Sequence, residues 1–217
     1  MNTRIKVVAF AGQIGTGKTL CADYLCAHHG YVKVKMADPL KNMLRAIGLT
    51  DAHIEGSLKE LPCALLEGKT PRWAMQSLGV EWGRDQIGNE FWANTWVKEV
   101  ERHLTLGTPV VADDLRYINE AQAVKAMGGV TIHLKRGELQ DATHSSELID
   151  FKCDHTLTNN ERESHGIFSM LDRIVNFDLF KSYQMEHPPE FFGDDPFEEE
   201  DVTDPDSRRV SLLGLDN

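Results

Sequence analysis

Short apolar runs alternate with longer amphipathic stretches over the first 185 residues of the chain. Five stretches have the length and the β-branched or alternating pattern of strands: 5–11, 31–36, 109–114, 130–134 and 155–159. Helix-forming segments lie between and after them, at 19–28, 39–47, 70–87, 89–104, 118–127 and 165–184. Strands that alternate with helices predict an α/β fold, in which helices cover both faces of a parallel sheet.

The segment between the second and third predicted strands is long and mostly helical. Its first part, Thr50–Lys69, is polar and broken by glycine and proline, which predicts an insertion or loop. Thr70 and Pro71 then open a helix in which Trp73, Met75 and Leu78 predict a buried side, and Gly79 is expected to interrupt that helix before it continues at 82–87. A further amphipathic helix is predicted at 89–104, where Trp92, Trp96, Val100 and Leu104 share one side.

Charge divides the chain into two parts. The net charge is −11, and residues 186–217 carry 11 acidic and 2 basic residues, hence −9 of it. This terminal stretch is rich in proline and acidic residues, and such a composition predicts a flexible tail. We therefore expect one domain at 1–185 and an acidic tail at 186–217. The domain itself is nearly neutral, so a locally basic cleft for polyanionic ligands is compatible with its composition.

The sequence also indicates the cellular location. No run of about 18 apolar residues is present, and the first residues lack a signal-peptide cleavage pattern. The four cysteines have neither C-x-x-C nor zinc-finger spacing. These features predict a cytoplasmic protein with reduced thiols and no membrane partner.

A glycine-rich turn follows the first predicted strand and precedes the first predicted helix. It matches the phosphate-binding pattern G-x-x-x-x-G-K-[ST] and consists of Gly12, Gln13, Ile14, Gly15, Thr16, Gly17, Lys18 and Thr19. In this pattern backbone N–H groups surround phosphate oxygens, the lysine reaches the β- and γ-phosphates, and the threonine hydroxyl ligates Mg²⁺. The alternative is a chance glycine-rich turn, but the strand and helix around it favour ATP and Mg²⁺ as cofactors.

Further polar groups follow the other predicted strands. Ligands of parallel α/β sheets bind at the carboxyl ends of the strands, so 12–19, Asp38–Lys41, Asp113–Arg116 and Arg136 are expected on one rim. Asp113 and Asp114 could organise Mg²⁺ or bind a substrate, or could cap the next helix. Which of the two carboxylates faces the metal stays open, with Thr19 and Asp113 as the working assignment.

The predicted helix after Pro71 places Arg72, Gln76 and Gly79 on one face, and Arg84 follows in the next segment. A guanidinium with an amide suits a nucleotide, although a solvated helix face is the alternative. The polar segment 135–150 contains Arg136 and has the composition of a lid or of an ordinary surface loop.

Six blocks together resemble the deoxynucleoside monophosphate kinases of large bacteriophages. They are GQIGTGKT at 12–19, ADPLK at 37–41, RWAMQSLGVEWGRDQIGNEFW at 72–92, DLRYINE at 114–120, AMGGVTIHLKR at 126–136 and THSSE at 143–147. The resemblance implies a P-loop NTPase three-layer sandwich with a helical substrate-binding insertion at about 50–104 and a lid at about 135–150. It further implies a location in the host cytoplasm if the protein is phage-encoded.

The activity implied by the resemblance is transfer of the γ-phosphoryl group of ATP to a deoxynucleoside 5′-monophosphate. The resemblance implies four catalytic residues: Lys18, Asp114, Arg116 and Arg136. It implies a substrate pocket of Asp38, Leu40, Lys41, Arg72, Gln76, Gly79, Arg84, Trp92, Asp114, Arg116 and Glu120. Two alternatives stay open, a kinase of another small molecule such as dephospho-coenzyme A, and a nucleotide-dependent switch. Nucleotides are the expected partners, nucleic acid is not expected, and a homodimer is allowed for.

Overall fold

The computed structural model describes residues 4–136, 151–159 and 164–176. Within them, the strands are β1 (Val7–Ala11), β2 (Val32–Lys33), β3 (Val110–Leu115), β4 (Val130–Lys135) and β5 (His155–Thr158). They form a single sheet of order β2-β3-β1-β4-β5 in which every neighbouring pair is parallel. The predicted α/β fold with a parallel sheet is confirmed.

Helices cover both faces of the sheet. They are α1 (Lys18–His29), α2 (Asp38–Ala46), α3 (Asp51–Ile54), α4 (Pro71–Ser77), α5 (Phe91–Thr105), α6 (Ile118–Ala126) and α7 (Ser164–Val175), with a 3₁₀ turn at Ala64–Leu66 and a π-helix at Leu78–Ile87. Side chains of β1 point alternately to the two faces, so Val8 and Phe10 pack with α1 and α7, while Val7 and Ala9 pack with α5 and α6. The result is a sandwich of three layers, with helices on both sides of one parallel sheet.

A third, smaller core lies apart from the sheet. Leu44 of α2, Leu49, Ile54 of α3 and Ala74 of α4 form it. Because this core fixes α2, α3 and α4 to one another, the residues between 38 and 77 make a helical wall that stands beside the carboxyl ends of the strands.

Several predicted boundaries differ from the structure. The strand predicted at 31–36 is only two residues long, because the amides of Met36 and Ala37 donate to the Asp114 carboxylate instead of to a neighbouring strand. The predicted loop Thr50–Lys69 contains α3 and the 3₁₀ turn.

The helix opened by Pro71 also departs from its prediction. Gly79 does not interrupt it, since α4 continues directly into the π-helix. Trp73, predicted to be buried, is 47% exposed, and Lys69 lies over its ring instead. Met75 and Leu78 do pack against the small core.

Some predictions concern residues outside the described part of the chain. These are the predicted lid beyond residue 136, the THSSE block at 143–147, the end of the last predicted helix and the acidic tail at 186–217. In the part that the structure describes, none of the helices has the length and apolar character needed to cross a membrane.

Candidate active site

The glycine-rich turn connects β1 to α1 and will be called the P-loop, residues 12–19. Its first glycine has φ 143°, and a Cβ at this position would lie 2.4 Å from the carbonyl oxygen of Leu134 in β4. Only glycine therefore lets the loop leave the sheet here. The Thr16 side chain is buried and donates from Oγ1 to the Gln13 carbonyl at 2.8 Å, which closes the turn from within.

Lys18 and Thr19 form the start of α1. The Lys18 ammonium donates to the carbonyl oxygens of Gly12 and Gln13, both at 2.7 Å, so its charge lies at the P-loop. Thr19 donates from Oγ1 to Oδ2 of Asp113 at 2.9 Å. This bond joins the first turn of α1 to the carboxyl end of β3, two places that are 94 positions apart in the sequence.

The Asp113 carboxylate is almost fully buried in a basic environment. Its side chain is 2% exposed, and the ammonium groups of Lys33 and Lys35 lie 3.7 Å from its two oxygens. Among the described residues, Oδ1 has no hydrogen-bond partner. A hydroxyl beside a carboxylate with one unsatisfied oxygen is a donor set that suits Mg²⁺, which prefers oxygen ligands and binds through few protein groups plus phosphates and water.

Asp114 has different partners from Asp113. Its two oxygens accept from the amides of Met36 and Ala37 at 2.8 and 3.0 Å, and this fixes the turn between β2 and α2. Burial raises the pKa of the Asp114 carboxyl, while the two amides act in the opposite direction. Asp113 is therefore the carboxylate that faces Thr19, whereas Asp114 holds the turn between β2 and α2.

A cavity of about 320 Å³ opens beside Thr19 and Asp113. The helical wall of α2 and α4, the π-helix and the start of α6 surround it. Six cationic side chains line the cavity: Lys35, Lys41, Lys59, Arg72, Arg84 and Arg116. Its apolar lining includes Leu40, Met75, Val80 and Trp92. Cations beside an apolar surface suit a ligand that has an anionic group and a flat or apolar group, as a nucleotide does.

Two of the cations on the helical wall are paired with carboxylates. Lys41 donates to Glu55 at 2.6 Å, and Arg72 pairs with Glu60. Lys59 lies beside them, since its carbonyl oxygen accepts from the Arg72 amide at 3.0 Å. Burial, followed by the charges of Arg72 and Lys41, lowers the pKa of Lys59. This side of the cavity would therefore be stabilised by an anion.

Arg84, another residue of the cavity lining, forms a buried ion pair. Its guanidinium donates to Glu120 at 2.8 Å, with the two side chains 9% and 5% exposed, and lies 3.7 Å from the centre of the Tyr117 ring. The other oxygen of Glu120 accepts from the amides of Arg116 and Tyr117. The pair thus joins the π-helix to the start of α6.

Comparison with known proteins identifies the family. No family model matches the chain. A protein of Acanthamoeba polyphaga mimivirus named "Putative deoxynucleotide monophosphate kinase" is 34% identical over 155 residues, which cover 65% of this chain and 80% of the relative. The chain belongs to the family of P-loop nucleoside monophosphate kinase-like proteins.

Other relatives of this P-loop kinase-like chain are more distant. Uncharacterized protein ORF76 of Ictalurid herpesvirus 1 (strain Auburn) is 28% identical over 131 residues, 60% of this chain, and the chain spans about half of that protein, 48% of its length. A "putative kinase" from Chloroflexus aurantiacus has a TM-score of 0.45 at 9% identity and covers 79% of this chain and 99% of its own. Shikimate kinase from Acinetobacter baumannii has a TM-score of 0.40 at 12% identity, covering 85% and 97%. The family assignment rests on the mimivirus relative.

The structure of this P-loop kinase-like chain brings most of the predicted site residues together. Those that line the cavity are Thr19, Leu40, Lys41, Arg72, Gln76, Gly79, Arg84, Trp92, Asp113, Asp114, Arg116 and Glu120. Arg136 lies on the P-loop instead, where it donates to the Gly15 carbonyl at 2.9 Å. Asp38 is not part of the cavity lining, because its carboxylate accepts from the Lys35 amide at the start of α2.

Some residues at the site were not among those predicted from the sequence, and four of them have polar side chains that bear on its chemistry. Lys35, Lys59 and Tyr117 line the cavity, and Asn159 donates from Nδ2 to the Thr16 carbonyl of the P-loop at 3.0 Å. The alternation of the stretch 31–36 was a usable signal for Lys35. Nothing in the local sequence marks Lys59 or Asn159, because their positions depend on how α3 and β5 pack.

Proposed function

We propose that this protein transfers the γ-phosphoryl group of ATP to a deoxynucleoside 5′-monophosphate and so produces the diphosphate. The observation that carries the proposal is that Thr19 is shared by the P-loop and the cavity. It is part of the P-loop, and together with Asp113 it lines the cationic cavity. A donor phosphate at the loop and an acceptor phosphate in the cavity would therefore be neighbours, as in-line transfer requires.

The donor site in this proposal is the P-loop. Its amides and Lys18 would hold the phosphates of ATP, and Thr19 and Asp113 would hold Mg²⁺. The bound ion would neutralise charge on the transferring phosphoryl group. Arg136, placed at the Gly15 carbonyl, lies where a guanidinium can approach that group as well.

The acceptor site is the cavity. Lys41, Lys59, Arg72 and Arg116 are the groups proposed to bind the monophosphate. Gln76 offers both a donor and an acceptor to a base edge, beside the apolar surface of Leu40 and Trp92. Arg84 and Glu120 are bound to each other, so their proposed contribution is to hold the π-helix against the start of α6.

This division of roles needs no strong general base. The attacking atom is an oxygen of a phosphate that is already anionic, so catalysis depends on positioning and on charge stabilisation. Asp114 fits that scheme as a group that holds the turn before α2, which carries Leu40 and Lys41. We propose a kinase domain at 1–185 with its acceptor region at about 50–104.

The test of the proposal is a substrate panel. Purified protein with ATP and Mg²⁺ is incubated with each deoxynucleoside monophosphate and with dephospho-coenzyme A, and diphosphate and ADP formation are measured. Phosphorylation of one or more of the monophosphates is expected. Transfer to dephospho-coenzyme A alone would assign the other kinase class, and nucleotide binding without transfer to any acceptor would favour a switch.

Replacement of Arg116 by lysine tests the acceptor site. The Arg116 guanidinium is exposed to the cavity and has no side-chain partner among the described residues. A guanidinium binds a phosphate through two parallel bonds, whereas lysine keeps the charge but loses this geometry. Loss of one charge-assisted bond, about 1.5–3 kcal/mol, is expected to lower kcat/KM for the monophosphate about tenfold or more.

The KM for ATP should change much less in Arg116→Lys, since the P-loop binds that substrate. Arg45→Lys is the matched control, because Arg45 pairs with Asp51 away from the cavity. Equal loss for both substrates would instead place Arg116 at the transferring phosphoryl group.

Replacement of Lys59 by methionine tests the cation that the sequence did not reveal. Methionine keeps most of the apolar stem and removes the charge. An interaction made equally in the ground state and the transition state affects KM without affecting kcat, so KM for the monophosphate is expected to rise about tenfold at nearly constant kcat. Lys69→Met, outside the cavity lining, is the control. An unchanged KM in Lys59→Met would remove Lys59 from the acceptor site.

A further inference from the structure

Two residues that follow neighbouring strands donate side-chain hydrogen bonds to backbone carbonyls of the P-loop. Arg136 follows β4 and donates to the Gly15 carbonyl at 2.9 Å. Asn159 follows β5 and donates from its side-chain amide to the next carbonyl, that of Thr16, at 3.0 Å. The backbone amide of Asn159 donates to the Lys135 carbonyl at 2.7 Å. Asn159 is therefore fixed to the end of the sheet while its side chain holds the loop.

The contact between Asn159 and the P-loop is so close that it restricts which residue can occupy position 17. A Cβ at Gly17 would lie 2.6 Å from Nδ2 of Asn159, and Gly17 has φ 98°. Both the backbone conformation and the close approach of the amide require glycine at this position. The side chain of Asn159 thus packs directly against the peptide unit that joins Thr16 to Gly17.

This contact determines which way that peptide unit faces. In a planar trans peptide, the carbonyl of one residue and the N–H of the next point in opposite directions. Because the Thr16 carbonyl is held toward Asn159, the Gly17 N–H is directed to the other side of the loop. Backbone N–H groups that point to one side are what a phosphate-binding loop offers to phosphate oxygens.

We propose that Asn159 is a positioning residue for the nucleotide: by holding the Thr16 carbonyl, it presets the P-loop in the conformation that binds phosphate. The proposal rests on the P-loop as the ATP site of the proposed function, and it is independent of the acceptor. It gives a role to a polar residue 143 positions away from the carbonyl that it holds. A loop that is already ordered binds its ligand with a smaller entropic cost than one that must become ordered.

The experiment compares Asn159→Ala and Asn159→Leu with the unchanged protein. Leucine has nearly the shape of asparagine but no donor and no charge, so it removes the hydrogen bond without opening a cavity or repelling phosphate. The Kd values for ADP and for a non-hydrolysable ATP analogue are measured by calorimetry, and the Kd for a monophosphate is measured separately. The Tm without nucleotide is recorded for each variant. Thr158→Ala, an exposed neighbour on β5, is the control.

Both Asn159 variants are expected to bind ADP and the ATP analogue more weakly, by up to about tenfold. This is the change in Kd that the loss of one neutral hydrogen bond produces. Monophosphate binding, the Tm without nucleotide and the Thr158→Ala control should stay close to those of the unchanged protein. ADP affinities unchanged in both variants would overturn the proposal. So would a parallel loss of ADP binding, monophosphate binding and Tm, because it would indicate a merely structural residue.

If one of the two variants fails to fold, the other carries the test. Selective loss of ADP affinity in a chain that phosphorylates no monophosphate would still support the role of Asn159 and would count only against the proposed function. If the unchanged protein phosphorylates a monophosphate while both variants bind ADP normally, the result supports the proposed function and contradicts the role of Asn159.

Discussion

Replacement of Lys18 by alanine is expected to lower kcat by about 10²–10³-fold, the usual effect of removing one electrostatic contact to a transition state. Lys18 is held at the P-loop through the Gly12 and Gln13 carbonyls, so its ammonium lies at the loop that would bind phosphates. Among the described residues that line the cavity there is no serine, cysteine or histidine that could supply an alternative, nucleophilic route. In the proposed reaction, charge stabilisation would therefore carry a large share of the rate.

The measurement is steady-state turnover of ATP with the best monophosphate of the panel, together with the Tm of each protein. Lys6→Ala is the control, because Lys6 is an exposed lysine just before β1. The Tm of Lys18→Ala should stay close to that of the unchanged protein, since α1 packs on the sheet through Cys21, Ala22 and Leu25. Turnover within a few-fold of normal in Lys18→Ala would show that the P-loop is not the site of transfer.

The sequence predicts the P-loop, the proposed donor half of the site, well because that half is local. Gly12–Thr19 are consecutive, and the strand before them and the helix after them have clear apolar patterns. Parallel pairing then brings the ends of β1 and β3 together, which accounts for the contact between Thr19 and Asp113. Sequence alone left the choice between Asp113 and Asp114 open, and the two amides that bind Asp114 distinguish them.

The cavity, the proposed acceptor half, depends on long-range packing and was predicted less completely. Lys59 follows α3, which packs on α4 through the small core, and it lines the cavity from there. A polar segment with glycine and proline gives no sign of that core. Arg84 was expected to bind substrate, and it does line the cavity; that its charge is also paired with Glu120, 36 positions away, was not predicted. Helical periodicity identifies which residues share a face, but it does not show which partner that face meets.

Replacement of Glu120 by alanine is expected to destabilise the fold by about 3–5 kcal/mol, the cost of leaving one member of a buried ion pair without its partner. The Arg84 guanidinium would stay buried against Tyr117 with no carboxylate. The amides of Arg116 and Tyr117 would lose their acceptor as well. Because the pair joins the π-helix to α6, acceptor binding should weaken together with stability.

Arg84→Met should cost less than Glu120→Ala, and this asymmetry is the sharper expectation. A guanidinium cannot lose its proton in a protein, whereas a carboxyl can gain one. Burial raises the pKa of the Glu120 carboxyl, so without Arg84 this carboxyl can take up a proton more readily than an exposed glutamate. It also keeps the amides of Arg116 and Tyr117 as donors. The double variant Arg84→Met/Glu120→Ala should recover part of the loss seen in Glu120→Ala, because it leaves no unpaired charge.

Urea denaturation at pH 7 measures the free energy of unfolding for these variants, and Glu99→Ala provides the comparison. Glu99 pairs with Arg102 at 2.6 Å, a shorter distance than in the buried pair, but the two side chains are 43% and 57% exposed. An exposed pair of this kind contributes less than about 1 kcal/mol, so Glu99→Ala should change stability only slightly. If Glu120→Ala and Glu99→Ala have the same small effect, the Arg84–Glu120 pair is not what holds the π-helix against the start of α6.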